Sequence, residues 1–594
     1  MTDARVDDYL LGVETSCSGR RWLGRVIDER YVQAASQRFG LPDILARILS
    51  ARGVDLDAIE DYLNPRLREL LPDPSTLADM DKATERLTRA IMQREKIVIF
   101  GDYDVDGATS TALFLRYLSM LGVAAGFYIP DRMTEGYGPN APAMEKLHQD
   151  GYQLMVTVDC GTMAHAALAR ADALGLDTIV VDHHQTGEAP PKALALINPR
   201  RVDDASGLGH LAAVGVSFMV LVGLNRHLRR AGYFDDRDEP NLLDLLDLVA
   251  LGTVCDVVPL RDLNRAFVLQ GLKVLQSRHN VGLAALADVS RAQPPLGTYE
   301  IGYMLGPRVN AGGRVGEASL GTRLLLSSDK EEVTALAMRL DAYNTERRAL
   351  EAKVLDQASA QLEGETAGHN MVPPALVAAD TDWHPGVIGI VAGRLKDRFY
   401  RPVFVISFDA DGGGKGSGRS IPGFDLGQMV AKAVGLGLIQ AGGGHAMAAG
   451  ITLTQDQLPG FRDFALQECA LAATETSRAL RCDAALQPSA ATRDLLDMIE
   501  RAGPYGADNP EPRFVIPGAQ ISYRKEVSGG HIQCVLADAG GGKLKAIAFA
   551  SLDESVRHRL LSHQGPLHIV GALRADDWQG RRGVQFVVQD IAIP

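Results

Sequence analysis

Ile97-Val98-Ile99-Phe100-Gly101-Asp102-Tyr103-Asp104-Val105-Asp106-Gly107 is the stretch on which the fold turns. A short apolar run ends in three alternating carboxylates, and Ala108–Met120 then continues at helical spacing. The pattern recurs. Leu154–Val158 leads into Asp159-Cys160-Gly161 and the amphipathic stretch Met163–Leu174, and Thr178–Val181 leads into Asp182-His183-His184. Gly126–Pro130 reads as a further strand. Strands alternating with helices at this spacing predict an α/β domain with a doubly wound parallel sheet. In such a sheet, groups just past the carboxyl ends of the strands converge on one crevice, so three acid-bearing loops are expected to meet there. Asp256, in Thr253-Val254-Cys255-Asp256-Val257-Val258, follows the apolar stretch Leu242–Leu251 and is a fourth contributor.

Carboxylates gathered this closely raise one another's pKa unless cations intervene. Oxygen ligands with a few imidazoles suit Mn²⁺ or Mg²⁺ better than zinc, which prefers tetrahedral nitrogen and sulfur sites. Two such ions ~3.5–4 Å apart can activate water and stabilise the leaving oxygen of a phosphodiester. Each cluster alone has a plainer reading. The DxDxDG run resembles a calcium loop or solvated turn, and Asp182-His183-His184 a helix cap beside two surface histidines. Against these, an EF-hand loop should end in an acid, whereas this motif runs into an apolar helix with Thr109, Ser110 and Thr111. All three clusters also share the same place after a strand.

Working outward, 594 residues are too many for one core, and about three to five domains are expected. With 46% hydrophobic and 23% charged residues the chain has a globular composition. Leu211–Leu224, the longest strongly apolar run, is too short to span a bilayer, and no signal peptide is visible. Six scattered cysteines form no CxxC pair, which fits a reducing cytoplasm. The net charge of −13 argues against indiscriminate nucleic-acid binding without excluding a basic groove.

Residues 1–75 alternate short helical pieces with polar turns, and residues 76–325 hold the acidic clusters. In 326–366 a helix is predicted from about Asp329 to Glu363, opened by a capping box of Ser328 and Glu331 and roughly 50 Å long, the alternative being two helices with a break near Asn344. A mixed segment, 367–480, is rich in glycine. There Gly442–Gly444 before His445 would offer backbone N–H groups that phosphate can approach closely, and Arg419 near Ser417 and Ser420 a bidentate clamp. In isolation these glycines fit a flexible loop better. In 481–594, five strand-like runs (Phe514–Val527, His531–Ala537, Leu544–Ala550, Leu567–Leu573 and Val584–Ile593) suggest a small OB-like barrel. From Glu511 to Pro594 ten Lys and Arg face eight Asp and Glu. Tyr523, Phe549, Trp578 and Phe586 are candidates to stack bases, although aromatics on strands are more often core.

The order Asp102-Tyr103-Asp104-Val105-Asp106-Gly107, Val158-Asp159-Cys160-Gly161, Asp182-His183-His184 and Cys255-Asp256-Val257-Val258-Pro259-Leu260 resembles the four motifs of the DHH phosphoesterase family. Further runs resemble its RecJ branch: Pro130-Asp131-Arg132 with Glu135-Gly136-Tyr137-Gly138, Gly306–Arg314, Trp383–Ala392, Gly416–Ser420, and Gly442–His445 followed by Ala446–Gly450, the hallmark of a DHHA1 domain. The resemblance implies a DHH domain joined by a long helix to a mixed α/β DHHA1 domain, with a C-terminal OB-like β-barrel. It implies two ions, Mn²⁺ or Mg²⁺, held by Asp102, Asp104, Asp106, Asp159, His183 and Asp256, with Asp159 bridging. His184 would face the scissile phosphate, and Asp182 would orient an imidazole. Ser417, Arg419, Gly443, Gly444 and His445 would hold the nucleic-acid backbone across a cleft from the metals. Arg308, Asn310 and Arg314 are weaker candidates, since a buried arginine at such a junction is often structural. The implied activity is 5′→3′ hydrolysis of single-stranded DNA to mononucleotides in recombination and repair, by a monomer working with single-strand-binding protein and a helicase. The chain departs from the family pattern at Ala311-Gly312-Gly313 and at Leu211–Gly215, neither of which touches an implied ligand. Two other readings stay open: a phosphodiesterase for short oligonucleotides or cyclic dinucleotides, and a non-catalytic replication scaffold. The barrel argues against the first and the full set of acids against the second.

Overall fold

The computed structural model describes residues 9–132, 134–187, 189–366, 372–472, 478–538, 540–577 and 582–594. Its described residues form two compact units, one of 28–344 with 497–511, the other of 9–27, 345–496 and 512–594.

In the first unit five strands, β1 Ile97–Gly101, β2 Ala125–Tyr128, β3 Leu154–Val158, β4 Asp177–Val181 and β5 Ala195–Ile197, lie in the order β2-β1-β3-β4-β5. Every pairing is parallel. Alternate residues of a strand face opposite sides. Ile97, Ile99, Val156 and Val158 therefore join the larger core with helices Val105–Met120, Ala213–Arg230 and Leu246–Cys255. Val98, Phe100, Met155 and Val180 pack instead against helices Ala141–Gln149 and His165–Ala173. The sheet is thus doubly wound, as expected, and its strand order reverses beside β1, where such folds open a crevice. Strand β5 was not anticipated; three residues bounded by turns give too short an apolar run to stand out.

Helix Lys330–Thr366 is continuous, about 55 Å long by its rise per residue. The expected capping box is not what starts it. Asp329, not Ser328, accepts the N–H groups of Glu331 and Glu332, at 2.8 and 3.3 Å. A carboxylate one residue further on serves the same orphan donors and adds a favourable charge at the helix N-terminus. The boundary between the units falls within this helix, after Asn344.

The second unit holds a mixed sheet of β6 Leu376–Asp380, β7 Val403–Phe408, β8 Gly413–Arg419, β9 Ala441–His445 and β10 Ala448–Thr454, in the order β9-β10-β8-β7-β6. Only β6 and β7 are parallel neighbours. Phe404, Ile406 and Phe408 pack on Leu426, Met429 and Phe461, while Val403 and Val405 pack on helix Ile388–Phe399. Beyond it, β11 Phe514–Val527, β12 His531–Ala537, β13 Lys543–Ala548, β14 Leu567–Ala575 and β15 Val584–Ala592 run in the order β11-β12-β13-β15-β14. Pairing of β14 back onto β11 closes the barrel, and two register shifts bend the long β11 around the corner. Helix Glu554–Ser562 connects β13 to β14.

Of the four aromatics proposed to stack bases, Phe586 is fully buried and belongs to the barrel core. Tyr523 and Phe549 remain exposed, at 51% and 38%, and Trp578 lies outside the described residues. Near the N-terminus the expected short helices are joined by a strand, Arg21–Gly24, parallel to Ala479–Cys482. Buried Trp22 donates its indole N–H to buried Asp590 at 2.9 Å. This partner is some 570 residues away, beyond the reach of any local pattern.

Candidate metal centre and backbone-binding strand

The loop after β1 is closed tightly: a Cβ at Gly107 would stand 2.4 Å from the Asp102 carbonyl oxygen, so only glycine fits. Asp104 caps helix Val105–Met120 and accepts the Gly107 N–H at 3.1 Å. Asp106, in that helix's first turn and buried, accepts the N–H groups of Ala213 and Val214 at 2.7 and 2.9 Å. One carboxylate thereby also satisfies the start of helix Ala213–Arg230, where a negative charge is favoured.

Asp159, just past β3, has φ +61°, a strained conformation for a residue with a side chain. Its N–H donates to Val181 at the end of β4, and its carbonyl accepts the Tyr137 hydroxyl at 3.0 Å. Asp182, past β4, is a hub. It accepts the N–H groups of Thr162, His183 and His184 at 3.0, 2.8 and 3.2 Å and bonds His184 Nδ1 at 2.8 Å. Asp256 lies at the C-cap of helix Leu246–Cys255.

These loops bring all six expected metal ligands together. Asp102, Asp104 and Asp159 form one group able to hold an ion, and Asp106, His183 and Asp256 a second; Asp159, His183 and His184 overlap both. His183 Nε2 lies 3.4 Å from an Asp159 oxygen, 3.6 Å from Asp256 and 3.9 Å from Asp106. Asp102 Oδ1, Asp159 Oδ1, Asp256 Oδ2 and both His183 nitrogens are buried without a hydrogen-bond partner. Orphaned buried polar atoms are costly, and the three carboxylate oxygens and His183 Nε2 belong to one cluster. The residues fit hard divalent cations, since three of the orphans are carboxylate oxygens of the kind Mn²⁺ or Mg²⁺ takes.

The electrostatics agree. Burial, then the charge of Asp256, pushes Asp106 up to about 7, and burial with Asp104 does the same to Asp256. Burial and their acidic neighbours also raise Asp102 and Asp159. Burial lowers His183, leaving a neutral imidazole, the form that ligates metals. His184 goes the other way. Burial would lower it, but the bond and charge of Asp182 carry it to about 9. Burial likewise opposes the ionised Asp182, and bonds from His184 and Thr162 outweigh it, holding that carboxyl below its usual range.

Around the cluster stand residues to which the sequence reading gave no role. Tyr137 packs edge-on to His184 and Tyr103, and the Arg132 guanidinium lies over the Tyr103 ring, 5.2 Å from its centroid. Buried Asn198 donates to Thr162 Oγ1 and to the His184 carbonyl, both at 2.9 Å, tying the loops after β3 and β4 together. Tyr137 and Arg132 lie in a stretch noted only as a family signature. Asn198 immediately follows β5, so reading that strand would have exposed it by the same rule that found the acids.

Helix Gly306–Val315 carries Arg308, Asn310 and Arg314 alongside this centre; a Cβ at Gly313 would come within 2.9 Å of the Tyr103 carbonyl oxygen. Arg308 donates to Asp341 at 2.8 Å and to the Met304 carbonyl at 2.7 Å, bracing its helix. In the second unit, register aligns Arg419 with Ala448 and His445, and Ser417 with Gly450 and Gly443. Those residues share one face, open at Gly443 and Gly450, where an added Cβ would meet nothing. Arg419 donates to Ser417 Oγ at 3.0 Å and to the Gly418 carbonyl at 2.8 Å. Gly444 approaches Ala448 too closely for any Cβ. The metal cluster and this strand lie in different units.

Three family models match the chain: the DHH family N-terminal domain over residues 96–253, the DHHA1 domain over 373–471 and the RecJ OB domain over 482–590. A curated relative, the single-stranded-DNA-specific exonuclease RecJ of Dickeya dadantii, is 38% identical over 93% of this chain and 96% of its own. The chain belongs to the RecJ family. The RecJ of Escherichia coli is 35% identical over the same shares. A crystal structure of RecJ from Thermus thermophilus in complex with Mn²⁺ matches with a TM-score of 0.80 at 28% identity, covering 96% of this chain and 79% of that one. A second, in complex with Mg²⁺, matches at 0.75 and 27%. Two RecJ structures thus carry the cations that the orphaned atoms here would suit.

Proposed function

We propose that this protein is a metal-dependent exonuclease that degrades single-stranded DNA from the 5′ end and releases 5′-mononucleotides, acting in recombination and repair. One observation carries the reading: four acid-bearing segments deliver buried, unpartnered oxygens and an imidazole to one point in a chain whose relatives are named single-stranded-DNA-specific exonucleases. Asp102, Asp104 and Asp159 would hold one ion of Mn²⁺ or Mg²⁺, and Asp106, His183 and Asp256 the other. Bound there, such ions supply a nucleophilic water at neutral pH and stabilise charge on the departing oxygen. His184, kept protonated by Asp182, presents an N–H to a phosphate oxygen beside the ligands, where it stabilises charge developing in the transition state. Asp182 and Asn198 fix the loop that carries both histidines. Ser417, Arg419, Gly443, Gly444 and His445 grip the backbone, with Asn310 and Arg314 as further contacts.

In this reading residues 76–325 hydrolyse, 326–366 connect, 367–480 grip the strand, and 481–594 bind it further along; 1–75 support the rest. Family membership supports a monomer that works with single-strand-binding protein and a helicase. The six unpaired cysteines support a reducing cytoplasm, and among the described residues no helix is long and apolar enough to cross a membrane. The test uses single-stranded, duplex and RNA substrates labelled at either end, with Mn²⁺ or with EDTA. Mononucleotides should leave from the 5′ end of single strands only when metal is present. Degradation from the 3′ end, or equal rates on blunt duplex, refutes the reading.

A further inference from the structure

Tyr299 and Tyr303 stack on each other, ring centroids 5.1 Å apart and planes 30° from parallel, yet they are 53% and 73% exposed. Among the described residues no Phe, Tyr or Trp is more exposed than Tyr303. Burial is the usual fate of large rings, because their apolar area is what folding removes from water. Tyr303, the more exposed ring of the pair, therefore presents a broad π surface to solvent.

The backbone beneath the pair has an unusual form with a local cause. Glu300–Leu305 is a π-helical turn running straight into helix Gly306–Val315, and Pro307 follows it. Proline has no N–H for the Tyr303 carbonyl four residues earlier and would clash with it in a regular helix. The chain widens instead, and the Gly306 N–H reaches back to Ile301. Such wide turns interrupt helices frequently at functional sites.

Position gives the pair its meaning. On the inner side Ile301 and Leu305 are buried, and a Cβ at Gly306 would stand 2.3 Å from Cys255 Sγ, next to Asp256. The other end of the same helix abuts Tyr103, between Asp102 and Asp104. One helix thus touches both ends of the ligand set, and Tyr303 stands roughly 4–5 Å along its axis beyond Gly306. Val257, directly after Asp256, points another apolar side chain outward, 70% exposed at φ +60°. A β-branched residue in that conformation is a genuine outlier.

We propose that Tyr303, backed by Tyr299, is a stacking platform for a base of the single strand on the 3′ side of the scissile phosphate. This rests on the exonuclease reading above. The released nucleotide is the 5′ one, so what stays bound and extends into solvent is the 3′ portion. Rings this exposed meet only that portion. Every base has a π face, so the contact tolerates any sequence, as a progressive nuclease requires.

The experiment measures binding of a fluorescent single-stranded 20-mer in EDTA to wild type, Tyr303→Ala and Tyr303→Phe. It is repeated with one abasic residue walked inward from the 5′ end. Tyr303→Ala should bind about 5- to 150-fold more weakly, the range for losing one base–aromatic stack. Tyr303→Phe should bind like wild type, which also separates stacking from misfolding. At one position an abasic residue should weaken wild type and add nothing to the Tyr303→Ala loss. Tyr303→Ala binding within about twofold of wild type, or losses that add at every position, overturns the platform. Cleavage of the same strand by wild type in Mn²⁺ is scored separately. Stacking without cleavage would overturn the exonuclease reading and leave the platform; cleavage with unchanged Tyr303→Ala binding would do the reverse.

Discussion

Asp182→Asn keeps the shape of the hub and removes its charge and its capacity to accept on both oxygens. In the native structure Asp182 Oδ1 serves the His183 and His184 N–H groups and His184 Nδ1, while Oδ2 serves the Thr162 N–H. An amide oxygen placed at Oδ1 retains the first three but turns an NH₂ toward the Thr162 donor. That buried N–H is then unsatisfied, at a cost of about 1–3 kcal/mol. The charge-assisted bond to His184 becomes a neutral one, a further loss of about 1 kcal/mol, kept small because the His184 side chain is 41% exposed and partly screened. The sum is about 2–4 kcal/mol, read by urea unfolding in EDTA as a lower midpoint with an unchanged slope. Because His183 rides on the same loop, Mn²⁺ affinity measured by calorimetry should fall about 10- to 100-fold. A variant within about 0.5 kcal/mol of wild type that binds Mn²⁺ equally well would show that the hub does not hold the loop.

Asp159→Ala should leave less than roughly a tenth of wild-type turnover in saturating Mn²⁺ while retaining most of the affinity for single strands, measured by fluorescence anisotropy. Asp247 is buried, and its burial pushes the carboxyl up to about 6 despite a bond from the Leu248 N–H and the charge of Arg116. Its folded pKa exceeds the unfolded one, so its contribution is complete below about pH 4 and is lost as pH rises through about 6. Asp247→Asn should therefore be more stable than wild type by up to about 3 kcal/mol at pH 8, and the gain should vanish at pH 4 in denaturation curves. On the barrel, Phe586→Ala should cost about 3–5 kcal/mol of stability, whereas Tyr523→Ala should leave the melting temperature in place and weaken binding of long single strands. A Tyr523→Ala variant that binds like wild type would remove that ring from the interface.

The catalytic sheet was legible because its signals are local. Each ligand sits within a few residues of the end of an apolar run, and one rule about the carboxyl ends of parallel strands joins Asp102, Asp159 and Asp182 without knowledge of contacts. Where the signal is not local, the reading missed. β5 is only three residues long, so Asn198 behind it carried no mark. Trp22 pairs with Asp590 across nearly the whole chain. Phe586 and Tyr523 are both aromatics on barrel strands, and only three-dimensional burial separates a core ring from an exposed one. The long helix was readable from the absence of glycine and proline, yet its cap was misplaced by one residue because Ser328 and Asp329 both qualify as N-cap residues.

The acids of this chain also explain why a net charge of −13 sits comfortably with nucleic-acid chemistry. Several carboxylates are buried in the cluster that would hold the cations, whose charge would offset theirs. Without those cations the centre is a liability: like charges crowd together, and Asp106 and Asp256 ionise only near neutrality. Divalent ions held by these residues would invert that logic, turning repulsion into ligation and supplying positive charge for a phosphate. Asp106 is held by two helix N–H groups and Asp182 by four donors. An acidic surface patch would have exposed, solvated carboxylates with no reason to be ordered. Here the oxygens come from three separate segments and an imidazole from a fourth, and the oxygens that lack partners are buried. That combination gains nothing for a fold on its own account, and becomes favourable only when the folded chain has a cation to hold.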